Sequence, residues 1–389
     1  MAIYMVKPVT TLDYRELARK RLPSFLFNYI DGGANDERTM AANSADFQKL
    51  MLRQQVLRDV SRVDTATSLA GQAVNMPLAL APVGLAGMMA RRGEAQAARS
   101  AAGAGIPFTL STVGICPIEE VSEASGGAFW FQLYMVKDRD LVVSLLERAR
   151  LAGCSTLVFT VDLAVTGMRH RDLRYGMQGD DFPAKLSRAL TLAASPRWVF
   201  DVAIKGKPHN FGNLSSILKD STDLDAYKNF INSQFDPSVT WKDIAWLRSL
   251  WPGQLLIKGI LTADDAREAR EVGADGVVVS NHGGRQLDGV SSTISKLPGI
   301  ASAVGKDIEV FMDGGVRSGI DVVKAVALGA RGVLIGRPWV WAVAARGEKG
   351  LSDLLEVYRS EIAKAMALMG VNSVAELNPE LVEPYCGIS

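Results

Sequence analysis

The sequence predicts an α/β protein: a (β/α)8 TIM barrel with an N-terminal helical segment and a long insertion in the fourth βα loop. Three observations carry that prediction. Eight short apolar runs alternate with Ala-rich amphipathic stretches, one helix-end, turn and strand phrase recurs along the chain, and a single interval is far too long for one repeat.

In chain order, an opening helical stretch over Thr11–Asn28 has Asp13 near its start, where a carboxylate complements the helix dipole. The apolar runs follow at Pro77–Ala81, Pro107–Ser111, Ala128–Tyr134, Thr156–Asp162, Gln254–Lys258, Gly276–Ser280, Ile308–Asp313 and Gly332–Gly336. Nearly continuous apolar character, rather than strict alternation, marks strands covered on both faces, as in a parallel sheet. Between them, Glu94–Gly103, Arg139–Gly153, Ala263–Val272 and Ser318–Leu328 carry apolar residues at three- and four-residue spacing and end near Gly, as amphipathic helices do. Eight such units favour a closed barrel over an open doubly wound sheet. The phrase Gly273-Ala-Asp-Gly-Val-Val-Val-Ser280 returns as Gly329-Ala-Arg-Gly-Val-Leu-Ile-Gly336 and, more loosely, as Gly153-Cys-Ser-Thr-Leu-Val-Phe-Thr160. The expected organisation is one domain over 1–389, with a helical segment over 1–75, the barrel over 76–345 and a helical region over 346–389.

Composition narrows the function. Among 389 residues, 43 basic against 42 acidic side chains leave a net charge of +1, so no global field recruits nucleic acid. Cys116, Cys154 and Cys386 lie too far apart for a disulfide framework or a metal knuckle, which fits a reducing cytoplasm and no metal. Asp13, Arg15, Glu16, Arg19, Lys20 and Arg21 interrupt any signal-peptide core. The charge-free stretch Thr65–Ala90 is long enough for a membrane span, yet Gln72, Asn75, Pro77 and Pro82 make it loop, buried strand, loop.

Between Asp162 and Gln254 lie about ninety residues where a βα connection needs only a few, so an excursion over about 170–240 is expected. Within it, Phe182–Lys207 sets Lys185, Arg188, Arg197, Lys205 and Lys207 against Asp201 alone. Leu186, Leu190, Leu192, Trp198, Val199, Phe200, Val202 and Ile204 are interleaved with those charges. Such a mixture suits an interfacial membrane segment, where apolar area enters the headgroup boundary and Lys and Arg meet anionic lipid. It equally suits an active-site lid or a protein–protein face.

Barrel enzymes carry their chemistry at the C-terminal ends of the strands. Here those ends are polar: Gln132 and Tyr134, Thr160 and Asp162 with Arg169 beyond, Lys258, Ser280 with Asn281-His282-Gly283-Gly284-Arg285-Gln286, Asp313-Gly314-Gly315-Val316-Arg317, and Gly336-Arg337. A lone strand-end Lys or His is usually a solvent-facing group, but the convergence is not explained that way. His282, one of only three His, suits a general base, and Asp162 suits the carboxylate that holds its tautomer. The two Gly/Arg turns after the last two strands match a barrel phosphate site, since backbone N–H groups and guanidinia together hold a dianion. Neither a P-loop nor a G-x-G-x-x-G dinucleotide fingerprint is present. FMN is the economical cofactor; Lys258 beside it would stabilise charge developing on the ring, and Arg169 with Arg285 suits a carboxylate substrate.

The run Ser280-Asn281-His282-Gly283-Gly284-Arg285-Gln286-Leu287-Asp288 resembles the signature of the FMN-dependent α-hydroxy-acid dehydrogenase/oxidase family. The resemblance extends through Leu22-Pro23, Tyr29, Ala81-Pro82, Phe131-Gln132-Leu133-Tyr134, Thr160-Val161-Asp162, Ile257-Lys258-Gly259 and Asp313-Gly314-Gly315 to Gly336-Arg337-Pro338. It implies that His282 is the base, Asp162 its partner, Arg285 with Tyr29 the carboxylate clamp, Tyr134 a neighbour of the substrate hydroxyl and Arg169 a second cation. It also implies FMN contacts with Pro82, Val83, Gly84, Ser111, Gln132, Thr160, Lys258 and Ser280, and phosphate contacts with Asp313, Gly314, Gly315, Arg317, Gly336 and Arg337.

Within the family, Ala81-Pro82-Val83-Gly84-Leu85, Arg91-Arg92-Gly93-Glu94, Leu110-Ser111-Thr112-Val113, Cys116-Pro117-Ile118-Glu119-Glu120 and Gly153-Cys154-Ser155-Thr156 are similar to the membrane-associated, quinone-linked bacterial L-lactate dehydrogenases. That resemblance implies oxidation of L-lactate to pyruvate, a quinone acceptor, membrane contact through about 182–207 on the cytoplasmic face of the inner membrane, and a homotetramer. The rival readings are another 2-hydroxy acid such as mandelate, oxygen as acceptor, or a flavin-binding sensor without turnover, which would not need the base. Ala86, Val113 and Val165 are the candidate walls of the substrate pocket.

Overall fold

The computed structural model describes residues 7–127, 129–177, 181–214 and 233–384. Ala128, Cys386, and residues 178–180 and 215–232 of the fourth-loop excursion lie outside the described residues. The eight expected strands are present as Leu78–Leu80, Thr109–Ser111, Phe129–Leu133, Cys154–Thr160, Gln254–Ile260, Gly276–Val279, Glu309–Asp313 and Gly332–Ile335. They pair in parallel in sequence order, the first also pairs with the eighth, and a parallel bridge from Leu80 to Phe108 joins the first to the second. The sheet is thereby a barrel, ringed by the helices that connect its strands. The fourth strand begins and ends two residues earlier than the pattern predicts, which frees Val161 and Asp162 to turn into the mouth.

Side chains of a strand alternate between its two faces, so every second residue points into the barrel. Ala79, Trp130, Val158, Leu256, Val278, Phe311 and Leu334 fill the interior as one buried cluster with Leu69, Ala70 and Val74. The last three belong to an antiparallel hairpin, Thr67–Leu69 with Gln72–Val74, which plugs the N-terminal end. Trp130 Nε1 donates to Gln72 Oε1 at 2.9 Å and Ala70 N–H to Glu309 Oε2 at 2.7 Å, giving the buried polar groups of the plug partners. Strands of three residues escape a pattern read over longer windows, and the stretch expected as plain loop holds this hairpin.

The opening helix is two helices, Thr11–Arg21 and Ser24–Asp31, broken where Pro23 lacks the N–H a continuous helix would need. The first starts on a capping box: Asp13 N–H donates to Thr10 Oγ1 and Thr10 N–H to Asp13 Oδ2. A third helix, Arg38–Gln48, is fixed to the mouth by a buried reciprocal amide pair, in which Asn43 Nδ2 donates to Asn281 Oδ1 and Asn281 Nδ2 to Asn43 Oδ1, both at 2.8 Å.

The excursion contains helices His170–Arg174 and Phe182–Ala193, then Pro196–Trp198 running into a π-helical turn over Val199–Ile204. None of Phe182–Ala193 is buried: Phe182, Leu186 and Leu190 stand 77%, 46% and 63% exposed at four-residue spacing on one face, and Phe200 and Ile204 are exposed beyond. Trp198 and Val202, expected among the outward apolar residues, are instead buried. Trp198 Nε1 donates to the Met88 carbonyl at 2.8 Å and Asp201 pairs with Arg21 at 2.6 Å, so these residues tie the excursion to the barrel. Among the described residues no helix is long and apolar enough to cross a membrane.

Asn43→Ala removes both bonds of this buried pair and the acceptor of the Thr293 amide, and is expected to cost about 2–4 kcal/mol. Urea denaturation, compared with the wild-type chain, measures it.

Candidate active site

The site is the barrel interior continued one pleat higher. Two residues beyond the apolar layer of Trp130, Val158, Leu256, Val278, Phe311 and Leu334 stand Gln132, Thr160, Lys258, Ser280, Asp313 and Gly336. Lys258 and Asp313 are 3% and 7% exposed, their charged atoms 3.0 Å apart, and Lys258 Nζ also donates to Ser280 Oγ at 2.8 Å. Burial opposes the ammonium charge, yet Asp313 and Asp162 hold the Lys258 pKa above its ordinary value. Ser111 Oγ donates to Gln132 Oε1 at 3.1 Å in the same layer.

His282 sits in the turn after the sixth strand with a left-handed backbone, φ 57°, which a His tolerates better than most side chains. Its amide donates to Ser280 Oγ, and its Nδ1 lies 2.7 Å from Asp162 Oδ1. Gly259 makes this approach possible: it lies in a bulge of the fifth strand at φ +116°, and a Cβ there would stand 2.8 Å from Asp162 Cβ. Burial opposes the Asp162 charge, but His282 and Lys258 hold its pKa below the ordinary carboxylate value. Burial also lowers the pKa of His282, outweighing the pull of Asp162 in the other direction. An ionised carboxylate only accepts, so Nδ1 carries the ring proton and Nε2 keeps a lone pair.

Beside the dyad, Arg285 Nη1 donates to the Tyr29 and Gly32 carbonyls at 2.6 and 2.7 Å, and its guanidinium lies 5.0 Å from the Tyr29 ring centre. Arg169 Nε donates to the Arg285 carbonyl and its Nη2 to Gln286 Oε1, both at 3.3 Å. Tyr134 packs on Phe235 with ring centres 5.0 Å apart, and burial raises the pKa of its hydroxyl, keeping it a neutral donor. At the far end, Arg337 donates to the carbonyls of Ile30, Gly283 and Gly32, and Arg317 lies 5.2 Å from the Trp341 ring centre. Burial lowers the pKa of both guanidinia, and for Arg337 the repulsion of Arg285 and Arg317 adds to it. Gly315, at φ +85°, packs so close to Asn43 that a Cβ would stand 1.9 Å from its carbonyl oxygen.

These groups surround a cavity of about 350 Å³. Of the candidate site residues, Tyr29, Pro82, Val83, Gly84, Tyr134, Thr160, Arg169, Lys258, His282, Arg285, Asp313, Gly314, Gly315, Arg317, Gly336 and Arg337 line it together. Asp162 stands behind His282, and Ser111, Gln132 and Ser280 lie buried behind the wall. Of the expected pocket walls Val113 lines the cavity, whereas Ala86 is buried away from it and Val165 is 72% exposed. Strand ends gave no signal for Met168, Met177 and Phe235 on the excursion, for Asp172 in the wall, or for the buried Asp31 that pairs with Arg15 at 2.6 Å and Arg171 at 2.9 Å.

The residues fit FMN. Gln132 Nε2, Thr160 Oγ1 and Asp313 Oδ1 are buried polar atoms without partners at one end, as a heteroaromatic ring with donors and acceptors requires. Two mutually repelling, half-buried guanidinia beside a Gly-Gly turn and the Gly336 start of a helix call for a dianion such as a phosphate at the other.

Lys258→Met would leave Asp313 buried and unpaired, and thermal denaturation is expected to show a loss of about 3–5 kcal/mol.

A family model described as FMN-dependent dehydrogenase matches residues 18–384. A protein named L-lactate dehydrogenase from Caulobacter sp. (strain K31) is 52% identical over 96% of this chain and 98% of its own length. One of the same name from Alcaligenes faecalis is 51% identical over 96% and 98%. The solved structure of monotopic membrane protein (S)-mandelate dehydrogenase superposes with a TM-score of 0.91 at 36% identity, covering 97% of this chain and all of that one. A mandelate oxidase superposes with a TM-score of 0.81 at 35% identity over 98% of this chain.

Proposed function

The chain belongs to the FMN-dependent dehydrogenase family, and from that premise we propose that it oxidises L-lactate to pyruvate and passes the electrons through FMN to a membrane quinone. At the coarser level it is an FMN-dependent hydroxy-acid dehydrogenase. The observation that carries the reading is the Asp162–His282 pair at the mouth, with Nε2 of the ring left to accept a proton beside Arg285 and Arg169. Relatives named L-lactate dehydrogenase, at just over half identity, support lactate as the acid.

Bound FMN supplies the two-electron acceptor. Arg285, Tyr29 and Arg169 hold the substrate carboxylate, and the planar guanidinium matches its two oxygens. Tyr134 donates to the substrate oxygen. His282 Nε2 takes one proton from the 2-hydroxy acid, and Asp162 stabilises the imidazolium that forms. Lys258 places a positive charge where electron density arrives, and its ion pair with Asp313 keeps it there. Met168, Met177, Leu163 and Phe235 give the cavity an apolar wall beside these groups.

The exposed Phe182, Leu186 and Leu190 face, with Lys185 and Lys205 near it, supports peripheral contact with the cytoplasmic face of the inner membrane. The likeness to a protein described as monotopic supports the same reading, and its substrate name favours one rival, an aryl 2-hydroxy acid.

Anaerobic stopped-flow mixing with L-lactate, D-lactate and S-mandelate, followed by quinone or air, decides among these. Fast flavin bleaching by L-lactate with reoxidation by quinone is expected; bleaching by mandelate alone, or rapid reoxidation by air, refutes the reading. His282→Gln should slow bleaching by about 10²–10⁴-fold while FMN stays bound. In the wild type the bleaching rate should rise with pH through a midpoint below 6.5, since the lowered pKa leaves the base neutral above it. Leu186→Asp with Leu190→Asp should move the protein from pelleted anionic vesicles to the supernatant without changing lactate turnover.

A further inference from the structure

Of the three arginines in residues 169–174, Arg169 lines the cavity, whereas Arg171 faces the helix Ser24–Asp31. Arg171 Nε and Nη2 donate to Asn28 Oδ1 at 2.9 and 2.6 Å, Nη2 pairs with Asp31 Oδ2 at 2.9 Å, and Nη1 reaches Glu37 Oε1 at 3.5 Å. The helix that receives it also carries Tyr29 into the cavity. One guanidinium therefore joins the start of the fourth-loop excursion to the helix of Tyr29, two residues from Arg169.

This anchor is firm where the contacts of Arg169 are weak. Arg169 donates at 3.3 Å to the Arg285 carbonyl and to Gln286 Oε1, longer than most such bonds, and the helix His170–Arg174 that follows is too short to hold a direction by itself. On one side of Arg169 the Met168 carbonyl accepts from the Asn35 N–H at 2.7 Å; on the other stands Arg171. The first contact fixes where the chain arrives, and the second fixes where it goes next. The two partners of the ion pair are also unequal. Asp31 is 4% exposed and accepts from Arg15 as well, Nε to Oδ1 at 2.6 Å and Nη2 to Oδ2 at 2.8 Å. It stays paired without Arg171, whereas loss of Asp31 would strand two cations.

We propose that Arg171 is a positioning residue for the acid-binding end: anchored on Asn28 and Asp31, it sets the direction in which Arg169 enters the cavity, and with it the affinity for a substrate carboxylate. The proposal rests on the reading that Arg169 binds that carboxylate.

The test titrates the FMN-loaded wild-type protein and its Arg171→Met variant with propionate, an unreactive three-carbon acid, by calorimetry. Propionate affinity should fall about ten- to a hundred-fold, because a guanidinium displaced by about an ångström no longer matches both carboxylate oxygens. The L-lactate concentration that half-saturates anaerobic flavin bleaching should rise by the same factor, while the limiting rate stays near that of the wild type. Arg171→Lys reaches Asp31 but lacks the planar fork for Asn28, and should fall between the two. Arg169→Met should lose at least as much affinity, and adding Arg171→Met to it should cost nothing further, since Arg171 acts through Arg169; a merely stabilising residue would add its own loss. Unchanged propionate affinity in Arg171→Met, or additive losses in the double variant, overturns the proposal alone. If Arg169→Met leaves propionate binding intact, the carboxylate role of Arg169 falls and the proposal with it. Should Arg171→Met fail to fold, Asn28→Ala loosens the same anchor with every charge kept and is judged by the same double-variant comparison.

Discussion

Everything at the mouth of the barrel depends on one buried ion pair. Lys258 and Asp313 belong to the fifth and seventh strands, and they meet across the barrel directly above a layer of Trp130, Phe311 and other apolar side chains. A charge there without its partner would cost several kcal/mol, so the two strands are held in one relative placement by the demand for neutrality as much as by packing. Ser280 completes the arrangement by accepting from Lys258 and, through the same oxygen, accepting from the amide of His282. The ion pair thus reaches His282 through a single hydroxyl.

Above this layer the site is over-supplied with positive charge. Arg169, Arg285, Arg317 and Arg337 line one cavity, and among the described residues Asp172 and Asp313 are the carboxylates that line it with them. The protein tolerates this because backbone carbonyls solvate the guanidinia: Arg337 alone has three. Such a site is organised for anions at both ends before either arrives, and the folded chain gains stability when they bind.

The eight strands were legible because each is short, apolar and followed by polar residues, and the loop after the sixth strand was legible because His is rare in this chain and His282 is followed by two glycines. What the sequence hid has physical reasons. Asp172 sits in an Arg-rich stretch that reads as a solvated helix face until the fold turns it inward. Trp198 and Val202 share their composition with outward-facing neighbours, and only the contact with Met88 and the pair between Asp201 and Arg21 distinguish them. The plug hairpin has strands of three residues, too short for any period to register. Boundaries moved at Pro23 and at Asp162, where one residue breaks a helix and the other leaves a strand to meet His282.

The first strand finds its parallel neighbour in the eighth, Leu78–Leu80 against Val333–Ile335, more than two hundred residues later in the chain. During synthesis the early strands must therefore wait with one edge unpaired until ribosomes have delivered nearly the whole polypeptide. Arg317 and Arg337 emerge in that same late portion, so the cationic end of the cavity is complete only when nearly the whole chain has been made. A truncated product lacking its last third would expose adhesive β-edges instead of forming a smaller, partly competent protein.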